Sequence, residues 1–298
     1  MRFKINDFEF GAEDSLLVCT GWEVAAADIR SHDTPRGGQD GIFPARDLLG
    51  KRTWTLGLAT VTSDYDSASA LAAAFSNAWE QARRKATPGV LVPLAYQATP
   101  SGQWRCVFGR PRKIQASTAD YAAMQGVIKI AVEFDQLDPG FYSSGTGGSQ
   151  SDGQVIVTAF PATITRGFEF KLPMPFAIRG SKETGQASAV LRVEGDQPSP
   201  VKVRFYGPCT SPALRTDSGK LLRVMGRIYS GDYLEIDTLH GTAQNSAGRF
   251  VPYMVDPRDR SFRWRLAPGS HVLTVFAVRG STESVRAEVS WRNVYSTI

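Results

Sequence analysis

Residues Asp64 to Ala86 read DYDSASALAAAFSNAWEQARRKA, and this stretch decides how the rest of the chain is read. It opens on acidic and hydroxyl residues, is rich in alanine, and closes on Arg83, Arg84 and Lys85. That order of charge suits a helix dipole, with carboxylates at its start and cations at its end. Leu71, Phe75, Ala78, Trp79 and Ala82 recur at helical spacing and form one apolar stripe. Pro88-Gly89 then stops the element. A single helix with one apolar face must be covered by something flat, and the sequence around it supplies strands.

Trp54, Leu56 and Leu58 alternate with polar positions after Lys51-Arg52. Val90 to Leu94 is a short apolar run. Ile128, Ile130, Val132 and Phe134 alternate with Lys129, Ala131, Glu133 and Asp135, the pattern of a half-buried strand. Residues 31–50, SHDTPRGGQDGIFPARDLLG, carry Gly, Pro and charge without periodicity. This reads as a long loop, and long loops in compact domains are often functional.

The chain divides at SSGTGGSQSDG, Ser143 to Gly153. Gly and Ser at that density cannot bury apolar area, so the segment reads as a flexible link following the turn signal Asp138-Pro139-Gly140. The expected domains are 1–142, a linker over 143–153, and 154–298. The second part alternates almost throughout. Ala187, Ala189, Leu191 and Val193 form one set. Val201, Val203 and Phe205 form another, with Lys202, Arg204 and Tyr206 opposite. A hairpin is expected around Ser230-Gly231-Asp232. Phe262, Trp264 and Leu266 are expected to oppose Arg263 and Arg265 on a strand. Val285, Ala287, Val289 and Trp291 close the series. Short strands without intervening helices imply a β-sandwich. The fold class is mainly β with one helix, in two parts.

Composition excludes several function classes. Of 298 residues, 42% are hydrophobic and 21% charged, and mean hydropathy is −0.21. No apolar run approaches the roughly 20 residues that span a bilayer. Charges at Lys4, Asp7 and Glu9 stand where a signal peptide needs an apolar block. The net charge of +5 is uneven: residues 1–142 hold 15 Lys and Arg against 16 Asp and Glu, and residues 143–298 hold 19 against 13. The three cysteines, Cys19, Cys106 and Cys209, are odd in number and far apart, which disfavours a disulfide framework or zinc site. No G-x-S-x-G elbow, H-E-x-x-H, Walker loop or strand-linked G-x-G-x-x-G is present. No catalytic, metal or cofactor residue is assigned.

The densest basic feature is Arg258, Arg260, Arg263 and Arg265. Two readings stand for Arg263 and Arg265: a contact with a polyanion or an acidic partner, or a solvated strand face paired with Asp256 and Asp259.

Four segments then carry a resemblance. Val203-Arg204-Phe205-Tyr206-Gly207-Pro208-Cys209-Thr210, Tyr229 to Asp237 (YSGDYLEID), Leu266 to His271 (LAPGSH) and Val289 to Asn293 (VSWRN) resemble, in order, the C-terminal module of siphophage distal tail proteins. The first part is similar more loosely: an N-terminal strand pair, a charged loop with Asp40-Gly41, then Gly50 to Leu56 (GKRTWTL), then a helix. The stretch from Ser143 to Leu172 is longer than the family's minimal pattern. The resemblance implies a structural, non-enzymatic virion protein at the distal end of a long non-contractile tail, made in the host cytoplasm. It implies a hexameric ring built by the N-terminal domain, with a galectin-like sandwich outside. Implied partners are further copies of the chain, the tail tube protein, the hub or tail-associated protein, and the tape measure and receptor-binding proteins. DNA would be passing cargo only, with no membrane insertion.

A ring subunit needs complementary surfaces more than a pocket. Residues 31–50 are the candidate for reaching a neighbour, with Arg30, Asp40, Phe43, Arg46 and Arg52 as candidate interface residues. The competing reading is an unremarkable surface loop. A different function class also fits: a carbohydrate-binding module for a host wall glycan, using Trp264 or Tyr233 as an aromatic platform.

Overall fold

The computed structural model describes residues 1–144, 153–159, 187–259, 261–277 and 284–297. The chain forms two compact units, Met1–Gln150 with Tyr295–Ile298, and Ser151–Val294.

The first unit is built on strands β1 (Arg2–Ile5), β2 (Phe8–Phe10), β3 (Leu17–Val24), β4 (Ile29–Arg30), β5 (Thr34–Pro35), β6 (Ile42–Phe43), β7 (Leu48–Leu49) and β8 (Arg52–Thr60). Helix α1 (Tyr65–Lys85) follows, then β9 (Val92–Gln97), β10 (Arg105–Ser117), the single turn α2 (Tyr121–Met124), β11 (Lys129–Gln136) and β12 (Phe141–Ser143). The main sheet runs β2-β1-β9-β10-β11-β8-β3, with β12 added against β10. All its named pairs are antiparallel.

Helix α1 forms where its caps and alanines place it. The Asp64 carboxylate accepts the Ser67 N–H at 2.8 Å, and Arg83, Arg84 and Lys85 occupy the last turn. Its buried face is Ala68, Ala72, Phe75, Trp79 and Ala82. The stripe is therefore rotated slightly from the expected one: Leu71 and Ala78 lie at its half-buried margin. Small alanines let the helix approach the sheet, and two aromatics fill the remaining space. Phe75 meets Phe10 with ring centroids 5.0 Å apart and Phe8 at 5.7 Å. Trp79 meets Phe134 edge-on at 6.5 Å. The strand expected from Ile128 is present as β11, and Ile130, Val132 and Phe134 are fully buried. Close packing also fixes Gly109, where an added Cβ would collide with the Asp135 carbonyl of the neighbouring strand.

In the second unit the strands are β13 (Gly153–Ala159), β14 (Ala187–Val193), β15 (Ser199–Tyr206), β16 (Cys209–Thr210), β17 (Pro212–Thr216), β18 (Leu221–Arg223), β19 (Arg227–Ile228), β20 (Tyr233–Asp237), β21 (Thr242–Asn245), β22 (Arg265–Leu266), β23 (Gly269–Ala277) and β24 (Val285–Trp291). One sheet runs β13-β24-β15-β20-β21, and the other runs β14-β23-β17-β18. Val203, Phe205, Ile236 and Ala287 of the first share one core with Leu191, Leu214, Leu273 and Val275 of the second. That shared core is what the alternating pattern required, and it makes the unit a β-sandwich.

Three local expectations need correction. No hairpin joins β19 to β20: β19 pairs with β16, while β20 pairs with β15 and β21. Tyr229 to Asp232 only turns the chain between ladders, through the Asp232 N–H to the Tyr229 carbonyl at 3.1 Å. Phe262 and Arg263 are not in a strand. Pro257 cannot donate to a ladder, and the segment winds into short 3-10 turns at Pro257–Asp259 and Ser261–Arg263 before the two-residue β22. Third, Ser143 and Ser144, read as the start of a linker, are buried, and the Ser144 N–H donates to the Trp104 carbonyl at 2.9 Å. The rest of that glycine-serine stretch over 145–152, the stretch 160–186 with Leu172 to Pro175, Arg260 and Val278 lie outside the described residues.

Two substitutions test the helix packing. Trp79→Ala should lower unfolding stability by about 3–5 kcal/mol and Asp64→Ala by about 1 kcal/mol, both read from denaturant titration of the helical circular-dichroism signal. A Trp79→Ala loss no larger than the cap's would refute the packing described.

Candidate functional site

The segment read as a loop is a β-arm. Beyond β3 and β8 the two legs stay paired: Ala25 N–H to the Thr53 carbonyl at 2.9 Å and Asp28 N–H to the Lys51 carbonyl at 3.2 Å. The two-residue ladders β4–β7 and β5–β6 carry the pairing outward. At about 3.3 Å per extended residue, a leg from Asp28 to Arg36 reaches at most roughly 25 Å. The tip, Arg36 to Gly41, closes with the Arg36 N–H on the Gly41 carbonyl at 3.2 Å. Gly38 and Gly41 adopt φ of 74° and 107°, values that glycine accepts without a Cβ clash. The periodicity was hidden because each ladder is only two residues long.

The arm has local ties but no core. The Ala45 N–H donates to Asp33 at 2.7 Å, and the Asp33 N–H donates to the Ser31 hydroxyl. The Ala45 amide first, and then a hydrogen bond from the Ser31 side chain, hold the exposed Asp33 carboxyl below the usual carboxylate range. The Arg36 guanidinium lies 4.9 Å from the Phe43 ring centre. Yet Ile29, Ile42, Phe43, Leu48 and Leu49 are all exposed, Ile29 at 66% and Phe43 at 57%. Fully burying one such side chain stabilises by about 1.5–3 kcal/mol, and an isolated two-stranded hairpin is marginal in water.

Of the five interface candidates, Arg30, Asp40, Phe43 and Arg46 are on this arm and exposed. Arg52 is not. It begins β8 at the arm's root, with its guanidinium 5.1 Å from the Phe141 ring centre. The apolar pairs Ile29, Ile42, Leu48 and Leu49 escaped the sequence reading, which weighed charge and glycine over the apolar dipeptides between them.

The root is rigid. Trp54 is fully buried, rings of Tyr96 and Trp22 lie 5.1 and 6.1 Å away, and its indole N–H donates to Gln136 at 3.0 Å. Beside it, Asp135 accepts from the Thr53 hydroxyl at 2.9 Å, Arg112 Nε at 2.8 Å and Lys51 Nζ at 3.4 Å. Burial pushes the Asp135 carboxyl up, but these three donors together hold it below its ordinary value.

In the second unit, Arg263 is exposed and lines an apolar groove of about 570 Å³ with Met225, Pro252, Tyr253, Val255, Pro257 and Phe262. Arg265 is half-buried in β22, and its carbonyl accepts Lys220 Nζ at 2.9 Å. The two arginines do not share a strand face. Asp256 is buried and lies 3.8 Å from Arg223. Of the two aromatic residues considered as a glycan platform, Trp264 is not available and Tyr233 is half-buried. Trp264 is 4% exposed within the sandwich core. The Arg204 guanidinium covers one face of Tyr233 at 4.6 Å while bonding Glu235 at 2.6 Å. Among the described residues, no group of three or more His, Cys, Asp or Glu side chains is placed to hold a metal.

No family model matches the chain, and no curated protein matches its sequence. Solved structures do match its fold over its whole length. The SPP1 Dit protein, described as a paradigm of the hub adsorption apparatus in phages infecting Gram-positive bacteria, superposes with a TM-score of 0.53 at 13% identity, covering 98% of each chain. A chain of the phage P2 baseplate, in its activated conformation with Ca, gives 0.56 at 11% identity over 100% of this chain and 99% of that one. The corresponding baseplate with Sr gives 0.57 at 11% identity and the same coverage. The chain has the fold of the SPP1 Dit protein and of a chain of the phage P2 baseplate.

The root network makes a pH prediction. Asp135 titrates lower in the folded chain than its ordinary value of 3.8, so its stabilising contribution is complete above that value and is lost as pH falls through the lower folded one. Asp135→Asn should cost about 1–3 kcal/mol at neutral pH. The gap from the natural chain should close in acid, as followed by thermal melts across pH. A gap that stays constant below pH 3.8 would show that the carboxylate charge is irrelevant.

Proposed function

We propose that this chain is a structural protein of a phage tail tip, acting by assembly and without catalysis. The observation that carries the reading is the end-to-end match of both units to Dit and baseplate hub proteins. The arm supports it independently: a chain that worked alone would gain nothing from five large apolar side chains held out in water on a paired stalk. In this reading the first part, residues 1–142, forms a hexameric ring at the distal end of a long non-contractile tail. The following unit, from β13 (Gly153–Ala159) onward, is a galectin-like sandwich carried outside the ring. The ring joins the tail tube above to the hub and receptor-binding apparatus below, with the tape measure protein in the same assembly. DNA passes through as cargo.

The arm is the contact to a neighbouring copy, with Arg30, Asp40, Phe43 and Arg46 at the interface. Arg52 acts from the root by holding the arm's angle. Arg263, on its groove in the sandwich, is the surface offered to another tail component.

Light scattering on the purified chain should give a mass several times 32.5 kDa, and negative-stain images should show closed rings. Phe43→Asp should return it to a monomer that still unfolds cooperatively, because the exposed side chain is outside the core. Labelling of intact particles that places the protein away from the tail tip would overturn the reading.

A further inference from the structure

The sandwich's two sheets end on β21 and β18, and the chain between β21 and β22 ties these edges together. The Val251 N–H donates to the Ala243 carbonyl of β21 at 2.9 Å, and the Asp256 N–H donates to the Arg223 carbonyl of β18 at 3.0 Å. Between them the Met225 N–H donates to the Met254 carbonyl at 2.6 Å. Pro252 and Pro257 open two of the 3-10 turns and fix their φ. The apolar groove of about 570 Å³ therefore has walls held from both sheets before anything enters it. Tyr253 and Met225 on its rim are exposed, Tyr253 at 73%. The two stretches that build this end, 221–229 and 249–265, hold seven arginines, no lysine and no glutamate, against Asp256 and Asp259. Asp256 is buried, lies 3.8 Å from Arg223 and accepts the Arg258 N–H at 3.0 Å. The next carboxylate along the chain, Asp232, accepts the Ser246 hydroxyl at 2.6 Å. Among the described residues, the exposed charges of the two stretches are Arg227, Arg249, Arg258 and Arg263.

We infer that this groove receives an acidic peptide segment of another protein, which seats one large apolar side chain against Met225, Tyr253 and Phe262 and sets flanking carboxylates on Arg258 and Arg263. The inference rests on the assembly reading above and gives the chemistry of the partner that the sandwich meets. Two features choose this occupant. The rim is cationic through arginine alone, whose planar fork matches a carboxylate. The stretches are rich in aromatic residues, Met and Arg and hold no Lys or Glu, the composition of a protein–protein contact. A sugar or phosphate polymer could use the arginines but not the groove, because its polar groups would lie against carbon with no hydrogen bonds to replace those to water. The charges speed and orient the encounter, and the apolar anchor in a preformed groove gives the contact its strength.

Peptide arrays probed with the labelled full chain test this. Short peptides with a central Leu, Phe or Trp flanked by Asp and Glu should bind, and the same peptides flanked by Lys and Arg should not. In fluorescence anisotropy, Tyr253→Ala and Arg263→Glu should each weaken the best binder about tenfold or more. Both changes fall on exposed side chains, and circular-dichroism melts check that each variant folds. A set of acidic peptides that leaves the chain unbound overturns the inference. Equal binding by acidic peptides with a central Ser, or by polyphosphate that Tyr253→Ala leaves unaltered, overturns it in favour of a polyanion contact. Light scattering on the same samples separates it from the assembly reading. Both variants should keep the mass of the natural chain, and a loss of mass on either substitution overturns the inference in favour of a contact between copies. Rings that bind no peptide overturn the inference alone; a natural chain that binds the peptides yet stays monomeric overturns the assembly reading and supports the chemistry assigned to the groove.

Discussion

The first unit depends on how firmly Trp54 and Asp135 are held. Trp54 sits among Trp22, Tyr96 and Phe141 and satisfies its N–H on Gln136. Asp135 gathers a hydroxyl, a guanidinium and an ammonium on the adjoining strands. An exposed ion pair contributes little on its own, but Asp135 is buried, so removing it takes the shared acceptor from the Thr53 hydroxyl and from two half-exposed cations. These groups sit where β3 and β8 leave the sheet. They fix the direction in which the arm departs, so its reach is set by strand geometry and not by a floppy connection. A contact made at the end of a stiff stalk loses less conformational entropy on binding than one made by a free loop.

The framework was legible where the pattern was long. The helix announced itself through its caps and alanines, and β8, β11, β15 and β24 through four or more alternating residues each. Legibility failed where elements are short. The arm's ladders span two residues apiece, below any period, so Ile29, Ile42 and Leu48 read as scattered apolar residues among glycine and charge. The run from Asp256 to Leu266 failed for a different reason. It alternates like a strand, but Pro257 withholds its N–H and the chain coils instead, which places Trp264 in the core and splits Arg263 from Arg265. The exposed apolar residues were only partly visible because a surface patch has no internal geometry to impose a spacing. Tyr121 and Met124 carried no sequence signal, and their exposure appears only once α2 is seen to cap a strand end.

The sandwich shows the opposite economy on its outer face. Lys202, Arg204, Tyr206, Tyr233, Glu235, Arg286 and Glu288 satisfy one another: Tyr206 donates to Glu288 at 2.6 Å, Arg286 lies 4.9 Å from the Tyr206 ring centre, and Lys202 meets Glu235 at 3.1 Å. A sugar-binding face needs polar groups that await hydroxyls and a ring that awaits a pyranose. Here the groups are already spent on each other, so displacing them for a glycan would exchange good charge-assisted bonds for neutral ones. The apolar groove beside Arg263 is the less committed surface of this unit, lined by carbon with one exposed cation.

These two surfaces set a division of labour. The first unit is nearly neutral and carries its unsatisfied area as apolar side chains on an arm and on a strand end. The second holds the chain's basic excess. Self-association among many copies favours neutrality, because like-charged subunits crowded around an axis repel at the short distances of a ring. Binding a different protein tolerates charge, which speeds encounter and excludes wrong partners. The uneven charge first visible in the sequence is what the proposed function would favour, with contacts between copies in one unit and contacts with other components in the other.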